Sequence, residues 1–144
     1  MSETAESIEF NLQVITPHGL VEDATVSIVT MPGEEGDFGV LPGHMPFLTK
    51  LKPGVINYES GKMPRKMAVS GGYVEVTREK VIVLARTCEK GEDIDIDRAK
   101  KAKLTLEDLL AGKSQDDNDR EYIEGKIMRA IARLDVVGNI NSPK

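Results

Sequence analysis

The stretch Gly36-Asp-Phe-Gly-Val-Leu-Pro-Gly-His-Met-Pro-Phe-Leu-Thr-Lys-Leu-Lys-Pro-Gly54 sets the reading of this 144-residue chain. Glycine and proline recur every few residues, and the apolar runs between them are short. Such punctuation suits strands joined by turns, because Gly permits positive φ and Pro holds φ near its turn value. It leaves no room for a helix of normal length.

The same texture extends outward on both sides. Ile8-Glu-Phe-Asn-Leu-Gln-Val14 has apolar side chains at alternate positions, the period of a half-buried strand. Val26 to Met31 is rich in β-branched residues and bounded by Pro32-Gly33, and reads as one strand. Val74-Glu-Val-Thr77, a turn at Arg78-Glu-Lys80, and Val81 to Ala85 read as a hairpin. Most of the 13 glycines and six of the 7 prolines lie before residue 94, so a β-sandwich or barrel is expected there.

Beyond residue 94 the period becomes helical. Asp95 is placed to cap the first turn by accepting from its orphan N–H groups. Ala99, Ala102, Leu106, Leu109 and Leu110 fall on one helix face. Gly112 suits a left-handed C-terminal position. Ser114-Gln-Asp-Asp-Asn118 reads as a polar turn, and Ile123, Ile127, Ala130, Ile131, Leu134 and Val137 as the apolar face of a second helix. The fold class is therefore β plus α: an N-terminal sandwich over residues 1–91, then an antiparallel two-helix hairpin over residues 92–144. A pair of short helices with an Ala- and Leu-rich seam is marginal alone and depends on a neighbour.

Composition narrows the function. A net charge of −5, no Trp, 3 Phe and 3 Tyr disfavour nucleic-acid binding. No run reaches the ~18 apolar residues of a membrane span, and Met1-Ser-Glu-Thr-Ala-Glu-Ser7 has neither the apolar core of a signal peptide nor the arginines of a transit peptide. The chain is expected to act in the compartment where it is made. A lone Cys88 rules out an internal disulfide and reads as a packing residue. Gly61-Lys62 lacks the flanking residues of a phosphate-binding loop, His18 reads as a turn residue, and no catalytic or metal-binding constellation is found.

Three signals, Gly36 to Gly54, Ser70-Gly-Gly-Tyr-Val-Glu-Val76 and Ile94-Asp-Ile-Asp-Arg-Ala-Lys-Lys-Ala-Lys103, stand in an order and spacing that resembles the ε subunit of F-type ATP synthases. The resemblance covers about Phe10 to Val137. It implies a sandwich followed by a helical hairpin, and a non-catalytic subunit of the rotary central stalk that partners the γ subunit, the membrane c-ring and the catalytic α and β subunits. It implies a peripheral location at the cytoplasmic face of the bacterial inner membrane and no required cofactor. Asp37 and His44 align with positions facing the c-ring; a structural loop role weighs equally for His44. Lys126, Arg129 and Arg133, spaced along one stripe of the second helix, would meet an acidic loop of the catalytic subunits when the hairpin extends. As a solvated helix face they need no partner.

Ile94-Asp95-Ile96-Asp97-Arg98-Ala99 resembles the pattern with which some bacterial ε subunits bind ATP. The resemblance assigns Glu89, Asp95, Arg98, Ala99, Arg129 and Arg133 to a regulatory ATP site. Arg can hold phosphate through forked hydrogen bonds. Asp95 and Arg98 are equally accounted for as a helix cap and a first-turn surface residue, and Thr105 stands where the best-known ATP-binding pattern of the family has another basic residue. The alternative reading is a free-standing ATP-sensing module using the same residues.

Overall fold

The computed structural model describes residues 8–112 and 118–138. Among these residues the chain forms ten strands: β1 (Phe10–Thr16), β2 (Gly19–Val26), β3 (Ile28–Gly33), β4 (Gly36–Val40), β5 (Phe47–Leu51), β6 (Gly54–Ser60), β7 (Met63–Val69), β8 (Gly72–Val76), β9 (Lys80–Ala85) and β10 (Cys88–Lys90). A single 3₁₀ turn, Gly91–Asp93, leads to helices α1 (Ile96–Ala111) and α2 (Asn118–Val136).

Hydrogen bonding runs β10-β7-β6-β3-β5-β8-β9-β1-β2, with β4 added to β3. β3 and β5 share only the pair Gly33–Leu51, and the strand path turns there into two layers. Met31, Ile56 and Met67 from one layer and Leu12, Val74 and Val81 from the other form one buried core. The alternation read in β1 holds: Phe10, Leu12 and Val14 are buried, while Asn11 and Gln13 are not. β1 lies parallel to β9, which locks the N-terminal strand into the middle of its layer.

Several local expectations need correction. Val26 to Met31 is not one strand: β2 ends at Val26, β3 begins at Ile28, and Ser27 marks the corner between them. Gly112 has φ −90° rather than a left-handed value, and its N–H bonds to Leu109 and Leu110 carbonyls, a tight right-handed ending. Leu109 is exposed, as is Leu104. The turn expected at Ser114 to Asn118 falls outside the described residues up to position 117, and α2 begins at Asn118. The expected hairpin at Val74 to Ala85 is present as β8 and β9. Gly61 and Lys62, far from cradling phosphate, are the two positive-φ residues (61° and 67°) of the β6–β7 hairpin, as a type I′ turn requires.

Seventeen buried residues make up the sandwich core. The second cluster, joining hairpin to sandwich, has three: Ala68, Ile94 and Ala132, edged by Val55, Val136 and Val137. At about 1.5–3 kcal/mol for each large buried apolar side chain, the sandwich is much the more strongly held. The hairpin buries Ile123, Ile127, Ala130 and Leu134 as well, but its cluster shared with the sandwich is the smaller one. α2 carries it, packing on α1 on one side and on β6 and β7 on the other.

Gly72 is one position where the fold leaves no room for a side chain. Its φ is 151°, and a Cβ there would lie 2.1 Å from the Leu84 carbonyl oxygen across the β8–β9 ladder. Strain and overpacking act together. Gly72→Ala is expected to lower stability by about 3 kcal/mol or more, measured by urea unfolding; a loss below ~1 kcal/mol would contradict the close approach.

Candidate functional site

The site is built where the last strand, the start of α1 and the middle of α2 converge. β10 pairs with β7 at the edge of its layer, which places Glu89 beside the hairpin. Asp95 caps α1: its carboxylate accepts from the Arg98 backbone N–H at 3.0 Å. Arg98 follows in the first turn with its side chain exposed, and Ala99 is buried. On α2, Lys126, Arg129 and Arg133 recur at helical spacing and all three are half-buried.

These elements enclose a cleft of about 680 Å³. All six residues nominated from the sequence for a nucleotide, Glu89, Asp95, Arg98, Ala99, Arg129 and Arg133, line it. Lys126, nominated only for contact with catalytic subunits, lines it too. Its Nζ lies 4.9 Å from the centre of the Tyr122 ring. Asp93, Lys101 and Thr105 also face the cleft and were not nominated. Lys101 and Thr105 fall three and seven positions after Arg98, so helical spacing from the motif was the signal that reaches them.

The electrostatics are mixed by design of the sequence. Five cationic and three carboxylate side chains line the cleft. Arg133 donates from Nε to Glu89 Oε1 at 2.5 Å, with each side chain about one-third exposed (33%). Close by, Lys66 of β7 pairs with Asp135 of α2 at 3.4 Å. The Arg129 Nε is buried and has no hydrogen-bond partner among the described residues. An unpartnered buried donor of this kind is costly unless an acceptor reaches it. Chemically, the cleft offers cations for a polyanion and carboxylates for amino or hydroxyl donors. Among the described residues no cluster of three His, Cys, Asp or Glu could hold a metal.

The loop residues lie apart from this cleft. Asp37 is exposed on β4, opposite Pro32. His44 is half-buried; its Nδ1 lies 3.0 Å from the Met45 carbonyl oxygen and its ring 5.4 Å from Phe47. Leu41, Met45 and Leu48 are exposed around it. Periodicity did not single out this apolar tip, because it lies in a loop without regular spacing.

Cys88 behaves as a packing residue. Its sulfur contacts Met67 Sδ at 3.7 Å, and burial, reinforced by the Glu89 charge, pushes the thiol up to about 12. Next to it, a polar clasp closes the sandwich. Tyr58 Oη donates to Glu22 at 2.5 Å, and Lys90 Nζ lies 3.6 Å from the same carboxylate. Burial opposes the charged form of Glu22, but the Tyr58 hydroxyl, the Asp23 amide and the Lys90 and Arg65 cations outweigh it and hold the carboxyl below its ordinary value. Burial, together with Glu22, raises the Tyr58 hydroxyl well above its usual range.

The chain matches two family models. Residues 9–91 match the β-sandwich domain of the ATP synthase delta/epsilon chain, and residues 92–138 match its long α-helix domain. It is 44% identical over 129 residues to the ATP synthase epsilon chain of Nitratidesulfovibrio vulgaris strain DP4, covering 90% of this chain and 96% of that one. Identity to the epsilon chain of Bacillus velezensis is 41% over 128 residues, covering 89% and 96%. The fold resembles a chain in the Euglena gracilis mitochondrial ATP synthase (OSCP/F1/c-ring), with TM-score 0.69, 23% identity and coverage of 92% and 79%. It also resembles a chain in the central stalk/c-ring of the Tetrahymena thermophila mitochondrial enzyme, with TM-score 0.60, 13% identity and coverage of 89% and 96%.

One prediction concerns the clasp beside Glu89. A carboxyl whose folded pKa is lowered stabilises the fold above its unfolded value, and that stabilisation is lost as pH falls through the folded value. Glu22, only 12% exposed, is therefore expected to matter at neutral pH. Glu22→Gln should cost about 1–2 kcal/mol at pH 7. The difference should shrink once pH drops below the ordinary 4.5. Denaturant midpoints across pH check this, and a cost that persists undiminished in acid would refute it. With two family models spanning residues 9–138 and relatives above 40% identity along its length, the chain belongs to the ATP synthase delta/epsilon chain family, among proteins named epsilon chains.

Proposed function

We propose that this chain is a non-catalytic subunit of the central stalk of an F-type ATP synthase, with a hairpin that brakes ATP hydrolysis and is held down by ATP. The sandwich, residues 1–91, binds γ and the c-ring, with Asp37 and His44 on the ring side. Asp37 is an exposed carboxylate, suited to Arg or amide groups on polar ring loops. The hairpin, residues 92–144, is the regulatory unit. No helix among the described residues is long and apolar enough to cross a membrane. The chain is peripheral in this reading, carried at the cytoplasmic face of the bacterial inner membrane by the complex.

The observation that carries the regulatory reading is the convergence of Glu89, Asp95, Arg98, Ala99, Arg129 and Arg133 on one cleft between strand and hairpin. The arginines take the phosphates of ATP, and Glu89 and Asp95 accept from the adenine amino group or the ribose hydroxyls. ATP is a regulatory ligand here, and no cofactor is required for assembly. Lys126, Arg129 and Arg133 serve both states. In the docked hairpin they face the cleft; in the extended hairpin they face the acidic surface of the catalytic subunits. One set of cations cannot do both at once, so a ligand that binds only the docked form draws the population toward it. At a hundredfold excess over Kd that bias is about 2.7 kcal/mol.

Calorimetric titration of the full chain with ATP, beside Arg98→Ala, tests the site. Saturable binding is expected, weakened about tenfold or more in the variant, which corresponds to ~1.4 kcal/mol. An absence of heat up to millimolar ATP, or equal binding by both chains, would remove ATP from the account. It would leave Asp95 and Arg98 as a helix cap and a surface residue.

A further inference from the structure

The strand that leads into the hairpin is short. β10 has three residues, Cys88, Glu89 and Lys90, which pair with Val69, Ala68 and Met67 of β7. β7 is its one strand neighbour among the described residues, since β10 and β2 are the two ends of the strand path. Side chains join those ends. The Glu22 carboxylate of β2 accepts from Tyr58 of β6 through one oxygen, at 2.5 Å, and faces Lys90 Nζ at 3.6 Å through the other. The Asp23 amide donates to that second oxygen at 3.0 Å and fixes the direction of the carboxylate. With side chains 27% and 12% exposed, Lys90 and Glu22 are better shielded from solvent than the Arg133–Glu89 or Lys66–Asp135 pairs.

Directly after Lys90 the chain is less firmly held. The 3₁₀ turn Gly91–Asp93 buries no residue, and Lys90 caps it without a side-chain hydrogen bond. The end of α2 covers it: a Cβ at Gly91 would lie 3.5 Å from Val136 Cγ1. Regular structure resumes at Ile96, behind the Asp95 cap. We propose that the Lys90–Glu22–Tyr58 clasp is an anchor that keeps β10 in the sandwich when the hairpin undocks, and so confines the movement to Gly91–Asp93. Departure of α2 removes the Arg133 tie from Glu89. Without the clasp, β10 would then be held by its ladder to β7 and by Cys88 packing on Met67. An edge strand of three residues is at the short limit of stable pairing and would open with the helix it precedes. Lys90 stands at the junction itself, so a tie there acts before strain reaches the ladder. The use of the anchor rests on the proposed movement of the hairpin; its existence does not, and it is tested on the chain alone.

Hydrogen exchange of the full chain without nucleotide, compared among β10, β9 and α2, is the test. In the wild type, β10 amides are expected to exchange more slowly than those of α2, because the strand stays when the helix opens. Lys90→Met is expected to speed exchange of β10 relative to β9 about fivefold. Tyr58→Phe should act in the same direction, since it frees the carboxylate that holds Lys90. Lys90→Arg keeps the charge and should leave β10 near the wild-type rate, which separates a lost tie from a damaged strand. Exchange of β10 as fast as α2 in the wild type would overturn the anchor. So would a Lys90→Met chain in which β9 and β10 speed up alike or not at all, or a Lys90→Arg chain as fast as Lys90→Met. None of these results depends on ATP or on a partner subunit, so failure of the brake reading leaves this one to be decided separately.

Discussion

The close approach of α2 to the sandwich is the constraint on which the site depends. It is made over small side chains, Ala68 on β7 and Ala132 on α2, with Ile94 closing the cluster between them. A larger residue at either alanine would push the helix outward, since interiors packed to near-crystal density absorb little extra volume. The helix position set by that contact brings Arg133 within bonding distance of Glu89 and places Arg129 in the wall of the cleft. Ala99 and Ala130, both buried and both lining the cleft, keep their part of the floor open for the same reason. The chemistry of the site is thus a consequence of where small residues allow two layers to meet.

The energetics bear on the proposed regulatory role. The sandwich holds itself together through one large core, closed by the Tyr58–Glu22–Lys90 clasp. Among the described residues, the hairpin meets the sandwich through a smaller apolar cluster and two partly exposed ion pairs. Each such pair contributes about 1 kcal/mol or less. In the proposed role, a ligand bias of about 2.7 kcal/mol exceeds the contribution of either ion pair.

Much of this was legible in the residues. Alternation in Ile8 to Val14, the hairpin at Val74 to Ala85 and the Asp95 cap each follow from local rules, and local rules hold where burial and capping agree. The corner at Ser27 was not legible, because the β-branched run continues through it and only the sandwich's two-layer closure demands a break. The ending at Gly112 was read from glycine's preference, yet that residue adopts φ −90°. For the cleft, the Asp95-x-x-Arg98-Ala99 pattern pointed to one wall, and the α2 arginines to the other. What periodicity could not supply was their partnership: the bond from Arg133 to Glu89 and the solitary Nε of Arg129 depend on the docking angle of α2, a tertiary property.

The most direct measurement places a fluorophore pair on the sandwich turn at Lys62 and on the exposed Met128 of α2, in the chain assembled with the rest of the complex. Energy transfer is then followed as ATP is added and withdrawn. High transfer is expected at saturating ATP, falling as ATP is removed, with a matching loss of hydrolysis activity as the hairpin leaves the sandwich. Transfer that is indifferent to ATP while hydrolysis changes would contradict a hairpin held down by nucleotide.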